Sequence, residues 1–202
     1  MQHREIIAIL RGITQVEAEA VVAELIAAGM TKIEVPLNSP TPIETIALLQ
    51  QRFAGQALFG AGTVLTVEQV QAVAATGAKL IVSPNADTAV IRESKRLGME
   101  SFPGVMTPSE CFQALAAGAD GLKFFPASVL GASGVAAIKA VLPKSTKLYA
   151  VGGASPENFD VWHAAGVTGF GIGTALYKPG RSAAEVGAIA REIVTAYDRI
   201  FP

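Results

Sequence analysis

Eight times along the 202 residues, a short run rich in Ile, Val, Leu and Phe gives way to a longer alanine-rich segment of helical period. A short continuous apolar run offers no polar face to water, so it belongs in a sheet covered on both sides, and parallel strands joined by helices meet that demand. Strands are expected near 6–11, 32–37, 57–63, 80–84, 100–104, 121–126, 147–152 and 168–173. Eight near-equal units of roughly 25 residues close naturally into an α/β fold of the (β/α)8, or TIM-barrel, type, expected as one domain over residues 1–202. A doubly wound open sheet is the alternative. It fits less well, because no GxGxxG follows the first strand and no unit is long enough for a long crossover.

The helix starts carry their own chemistry. A Ser or Thr side chain caps free backbone N–H groups, and a Glu or Gln three residues on reaches back. That pattern occurs at Thr14 with Glu17, Thr41 with Glu44, Thr66 with Gln69, Thr107 with Glu110 and Ser182 with Glu185. Pro42, Pro108 and Pro156 are expected at first helical positions, where a missing N–H costs nothing. Gly29, Gly77, Gly98, Gly118 and Gly166 are expected as left-handed C-terminal caps.

Composition narrows the function classes. Half the residues are hydrophobic, 16% are charged and the net charge is −1, so no electrostatic footprint for nucleic acid or an anionic membrane surface is present. The first apolar run, Ile6 to Leu10, is ended by Arg11 and Gly12, too short for a signal peptide or membrane span, and a cytoplasmic location is expected. Cys111 alone excludes an internal disulfide, and reads as a small buried hydrophobe on a helix. His3, at a terminus expected to fray, and His163, near the end of a surface helix, belong to no ligand pattern, so neither metal nor other cofactor is expected.

In such a barrel, function gathers at the C-terminal ends of the strands, and four polar residues interrupt apolar strands there: Arg11, Glu34, Thr63 and Lys123. Alternation places Lys123 on the face of Phe125, away from Leu122 and Phe124. If that face is the interior, desolvation favours the neutral amine that carbonyl attack needs; otherwise the lysine snorkels to solvent. Glu34 is either a general acid/base or the partner of a buried cation. Thr63 follows Gly60, Ala61 and Gly62, and is either a carboxylate ligand or a plain strand end. Arg11 is either a fork for the same carboxylate or an ion-pair partner of Glu34. Gly152 and Gly153, followed by a helix start at Ser155, and Gly171, Gly173 and Thr174 lie in the two loops where barrels commonly build phosphate sites, or else in tight turns.

These residues sit in recognisable segments: EVPLNSP around Glu34, GAGTVL around Thr63, IVSPN around Pro84, FPGVMTPSE, GLKFFPAS around Lys123, and AVGGASPEN. Over essentially its whole length the chain resembles the pyruvate-dependent class I aldolases of the 2-keto-3-deoxy-6-phosphogluconate (KDPG) type. EVPLNSP and AVGG look closest to the 6-phosphogalactonate-specific branch. The resemblance implies Lys123 as Schiff-base lysine, Glu34 as general acid/base, Thr63 and Pro84 near the pyruvyl end, and Gly152, Gly153, Gly173 and Thr174 around a phosphate. It implies a phosphorylated keto acid as substrate, no metal, and a homotrimer. Gluconate-type relatives usually carry arginine where this chain has Asn38, which makes Arg11 the candidate for the carboxylate. They usually carry threonine where this chain has Val151, which implies a preference for the galacto epimer. The gluconate epimer and 4-hydroxy-2-oxoglutarate are the nearest alternative substrates. A non-catalytic phosphosugar-binding barrel, with Lys123 and Glu34 as a structural ion pair, is the alternative from another class.

Overall fold

The computed structural model describes residues 3–202. Among them, nine parallel strands alternate with helices: β1 (Ile6–Ile9), α1 (Gln15–Ala28), β2 (Lys32–Pro36), α2 (Pro42–Arg52), β3 (Leu58–Gly62), α3 (Val67–Ala75), β4 (Leu80–Val82), α4 (Thr88–Arg96), β5 (Glu100–Phe102), β6 (Gly104–Val105), α5 (Pro108–Ala116), β7 (Leu122–Phe124), α6 (Ala127–Lys139), β8 (Leu148–Val151), α7 (Phe159–Ala164), β9 (Gly169–Ile172) and α8 (Ala183–Ile200). The sheet runs β5-β4-β3-β2-β1-β9-β8-β7-β6. Its two ends are halves of one expected strand, separated only by Pro103, so the sheet is the anticipated eight-stranded barrel with its fifth strand divided. Proline has no N–H for a ladder, but its carbonyl accepts from the Lys123 N–H at 2.9 Å and carries the closure.

Strand alternation sorts the core into two parts. Outward residues such as Ile33, Val35, Leu122, Phe124 and Phe170 are buried under the helices, and Phe170 stacks on Phe159 at 3.9 Å between centroids. Inward residues Ile7, Leu80, Val82, Phe102 and Tyr149 fill the N-terminal half of the barrel, where Phe102 meets Tyr149 edge to face at 4.9 Å. Glycines give them room: a Cβ on Gly121 would lie 3.0 Å from both rings. Each large side chain buried this way stabilises the fold by about 1.5 to 3 kcal/mol. Below the rings, Glu5 accepts from Lys32 and Lys147 at 2.6 Å each and from the Tyr149 hydroxyl. This network closes the N-terminal end.

The caps follow the sequence in part. Thr107 and Ser182 form complete capping boxes. Thr66 accepts from Gln69, whose side chain reaches Leu65 instead of the cap itself. Thr14 and Thr41 do not cap, contrary to expectation: the Thr14 hydroxyl donates to the Glu17 carboxylate, and Thr41 sits at φ 36°, outside the extended geometry a cap needs. Asp87 caps α4 instead, by accepting from Ala89 and Val90. Pro42 and Pro108 open α2 and α5. Pro156 does not open a helix: it lies in a turn, and α7 begins at Phe159. All five anticipated C-terminal glycines have φ between 69° and 99°. His3 is tied down, with Nδ1 2.8 Å from the Thr31 hydroxyl, and Cys111 is buried on α5.

Candidate active site

In the C-terminal half of the barrel the large interior side chains stop. β3 turns Gly60 and Gly62 inward and β9 turns Gly171 inward, so the bore opens into a cavity of about 600 Å³. Every site residue anticipated from the sequence lines it: Arg11, Glu34, Thr63, Pro84, Lys123, Val151, Gly152, Gly153, Gly173 and Thr174. A cavity of about 680 Å³ at the opposite end is lined by the charges of the Glu5 network and its neighbours. Those charges satisfy one another, whereas the polar groups of the C-terminal cavity are in part unpaired.

Lys123 and Glu34 face each other's charge inside the barrel. Lys123 is 7% exposed, which rules out the snorkelling alternative, and its ammonium lies 4.9 Å from the centroid of the Phe125 ring. Burial is the largest influence on it and pushes its pKa down; Glu34 pulls the other way, Arg11 adds to the fall, and the net shift is downward. Burial likewise pushes Glu34 up, against Lys123, Arg11 and the Gly62 backbone, and the net shift is upward. The pair therefore titrates closer to neutrality than either group alone, as acid/base work at neutral pH requires. Glu34 Oε2 is buried without a hydrogen-bond partner among the described residues. Native interiors seldom leave such an atom orphaned except where it has work to do.

Glu34 fits because Gly62 lies beside it: a Cβ there would sit 2.0 Å from Oε2. Thr63, the next residue, has φ 57°, a strained conformation for a β-branched side chain, of a kind that clusters at functional sites. Its hydroxyl accepts from Arg11 Nη1 at 3.4 Å, and Nη1 also donates to Asn38 Oδ1. Arg11 is therefore not the salt-bridge partner of Glu34. It lies on the turn past β1, because the Ile13 N–H folds back to the Leu10 carbonyl at 3.2 Å and ends the strand. Among the described residues its remaining N–H donors have no partner, which leaves them open to an anion at the cavity mouth.

Across the cavity, Gly152 and Gly153 take φ 90° and 86°, a conformation open to glycine and strained for side chains. Their N–H groups, with those of Gly173 and Thr174, donate to nothing among the described loop and turn hydrogen bonds. Such a concavity of free amides suits an anion. The expected helix N-terminus at Ser155 is absent, since the Ser155 N–H is taken by Asn158 Oδ1 at 3.0 Å. The free amides therefore come from two loops, with no helix start at Ser155 among them. Val151 fills the space over Gly171, where a Cβ would be 2.6 Å from its Cγ2.

Phe125 and Lys178, neither expected in the site, also line the cavity, as does Ser155, expected only as the helix start beside the glycine pair. Phe125 was visible as the same-face neighbour of Lys123, and Lys178 as a charge in the Gly- and Pro-bearing loop after the last strand.

Comparison with known proteins agrees with this geometry. The KDPG and KHG aldolase family profile matches residues 1–190. A "Probable 2-dehydro-3-deoxy-6-phosphogalactonate aldolase" of Rhizobium meliloti (strain 1021) is 52% identical over 98% of this chain and 93% of its own length. The 2-dehydro-3-deoxy-6-phosphogalactonate aldolase of Escherichia coli (strain K12) is 46% identical over 95% and 94%. A solved structure described as native KDPGal superposes with a TM-score of 0.97 at 44% identity, covering 100% of this chain and 98% of that one. Matching in sequence and in barrel over nearly its full length, the chain belongs to the KDPG and KHG aldolase family.

Proposed function

We propose that this chain, acting as one barrel domain, is a Schiff-base aldolase that cleaves 2-dehydro-3-deoxy-6-phosphogalactonate to pyruvate and glyceraldehyde 3-phosphate. The observation that carries the reading is a lysine and a glutamate buried together in an apolar barrel, on a cavity with free anion-binding donors. Neutral Lys123 attacks the C2 ketone, and loss of water leaves a protonated imine. Glu34, acting through a water, takes the C4 hydroxyl proton. The C3–C4 electrons move into the imine as the enamine forms and the aldehyde leaves. Glu34 returns the proton to C3, and hydrolysis releases pyruvate and the free amine. Every step is balanced without a metal or other cofactor.

Arg11 and Thr63, with Pro84 beside them, hold the carboxylate and pyruvyl end, while Gly152, Gly153, Gly173 and Thr174 hold the phosphate. Val151 sets the epimer, since valine keeps the shape of threonine without its hydroxyl. A hydrogen bond missing from a buried site costs about 1 to 3 kcal/mol, or about 10- to 100-fold in discrimination. The test is kcat/KM for both epimers in wild type and Val151→Thr. Wild type is expected to prefer the galacto epimer, and Val151→Thr to move the ratio toward gluco mainly by raising gluco activity. A wild-type preference for the gluco epimer overturns the substrate assignment.

The resemblance, together with apolar surface at Phe112, Phe125 and Val129 on neighbouring βα units, supports a homotrimer. Sedimentation equilibrium should return three times the 20.9 kDa chain mass. A cytoplasmic location belongs to the same reading. No helix among the described residues is long and apolar enough to cross a membrane.

A further inference from the structure

Three cationic side chains line the cavity: Arg11, Lys123 and Lys178. Two have other work in the aldolase reading. Arg11, braced by the neutral groups of Asn38 and Thr63, is assigned to the carboxylate end, and Lys123 faces Glu34 and becomes the imine nitrogen. Lys178 is exposed and makes no ion pair among the described residues.

Its backbone, by contrast, is braced on both sides. The Leu176 and Tyr177 N–H groups both donate to the Gly173 carbonyl at 2.9 Å. The Tyr177 hydroxyl donates to Glu17 at the start of α1, and Arg181 Nη1 donates to the carbonyls of Ala175 and Leu176 at 3.1 and 2.6 Å. Pro179 packs against Gly12, where a Cβ would lie 2.9 Å from its ring. A lysine without a partner is thus presented at the cavity rim by a fixed loop, the same loop that carries the free amides of Gly173 and Thr174. Amide dipoles orient an anion but carry no net charge, and a phosphate monoester brings nearly two negative charges.

We propose that Lys178 is a further substrate-binding residue, the cationic partner of the phosphate end of the substrate. The proposal rests on the aldolase reading above for the identity of that substrate. Lysine acts on phosphate as a point charge, so it should strengthen binding before and during reaction alike and show in KM more than in kcat.

The experiment compares wild type, Lys178→Gln and Lys178→Arg in three measurements: steady-state cleavage, competitive inhibition by inorganic phosphate, and trapping of pyruvate by borohydride. For Lys178→Gln the expected result is a rise of about five- to tenfold in KM, the worth of one exposed charge-assisted contact, with kcat within about twofold. The phosphate inhibition constant should rise in parallel, and Lys178→Arg should restore both. The KM of wild type should climb with ionic strength more steeply than that of the variant. Pyruvate, which lacks a phosphate, should be trapped alike by all three proteins. Unchanged KM and phosphate inhibition in Lys178→Gln overturn the proposal, as does an equal loss of pyruvate trapping, which would place Lys178 in the fold or beside Lys123. If no protein traps pyruvate, the aldolase reading fails instead, and calorimetric titration of wild type and Lys178→Gln with inorganic phosphate decides whether Lys178 holds the anion.

Discussion

Replacing Gly62 by alanine separates catalysis from folding with one methyl group. The new Cβ would stand 2.0 Å from Glu34 Oε2 and 2.4 Å from both Cδ and Oε1. Non-bonded heavy atoms settle at about 3.5 Å, so the carboxylate must withdraw by roughly 1.5 Å. The fold can accept this, because the obstructing group is the free end of a side chain and Gly62 is not among the left-handed glycines. Overpacking costs about 1 to 3 kcal/mol, against which the lost backbone freedom of glycine returns about 0.5 to 1, leaving a net loss of about 1 kcal/mol. Catalysis cannot accept it. A 1 Å misplacement of a reacting group costs on the order of 100-fold, so kcat should fall by at least about that factor. Pyruvate release, followed through a coupled dehydrogenase beside a thermal melt, reads both numbers. A folded Gly62→Ala protein with kcat within about threefold of wild type would refute the placement of Glu34 at the reacting centre.

Glu34→Gln should keep the fold and slow turnover by about 100- to 10,000-fold, the usual worth of a positioned acid/base, and should remove the acidic limb of the pH–rate profile; near wild-type turnover would leave Glu34 only a structural partner. In the N-terminal network, burial raises the pKa of Glu5, but hydrogen bonds from Lys147, Lys32 and Tyr149 outweigh it and bring the carboxyl down to about 2 from its ordinary 4.5. A depressed carboxyl stabilises the fold above its unfolded pKa, so this contribution should disappear as pH falls from 4.5 toward 2. Glu5→Gln should cost about 2 kcal/mol at neutral pH, less than the 3 to 5 of a fully buried broken pair because Lys32 keeps Glu100 at 3.3 Å. The variant should also lose stability less steeply in acid. Chemical denaturation at pH 7 and pH 3.5 measures both, and equal losses for the two proteins in acid would dismiss the network as a stabilising device.

The barrel was legible because its strands are buried on both faces and its helices carry a different period, and Lys123 and Glu34 were legible because each interrupts such a run. What stayed hidden depended on neighbours distant in sequence. Nothing local to Glu34 announces that Gly62 provides its room, and nothing local to Arg11 says that Asn38 and Thr63 hold it away from Glu34. Thr41 with Glu44 has the letters of a capping box, yet the chain turns at Thr41 through a left-handed residue, where the hydroxyl cannot reach the helix amides. Ser155 and Pro156 read as a helix start, but Asn158 takes the Ser155 amide and delays the helix to Phe159. The fifth strand was placed correctly and still divided, since Pro103 weakens the ladder only where a neighbouring strand needs an N–H.

The central claim is that the Lys123 amine forms a covalent imine with the keto acid. Incubation with pyruvate and borohydride, followed by peptide mass mapping, tests it directly, because reduction fixes the imine as a secondary amine. The account predicts one pyruvyl adduct per chain, on the peptide carrying Lys123, none in Lys123→Ala, and full activity in the presence of a chelator. An adduct on another lysine, or no adduct from a protein whose activity a chelator abolishes, would contradict it.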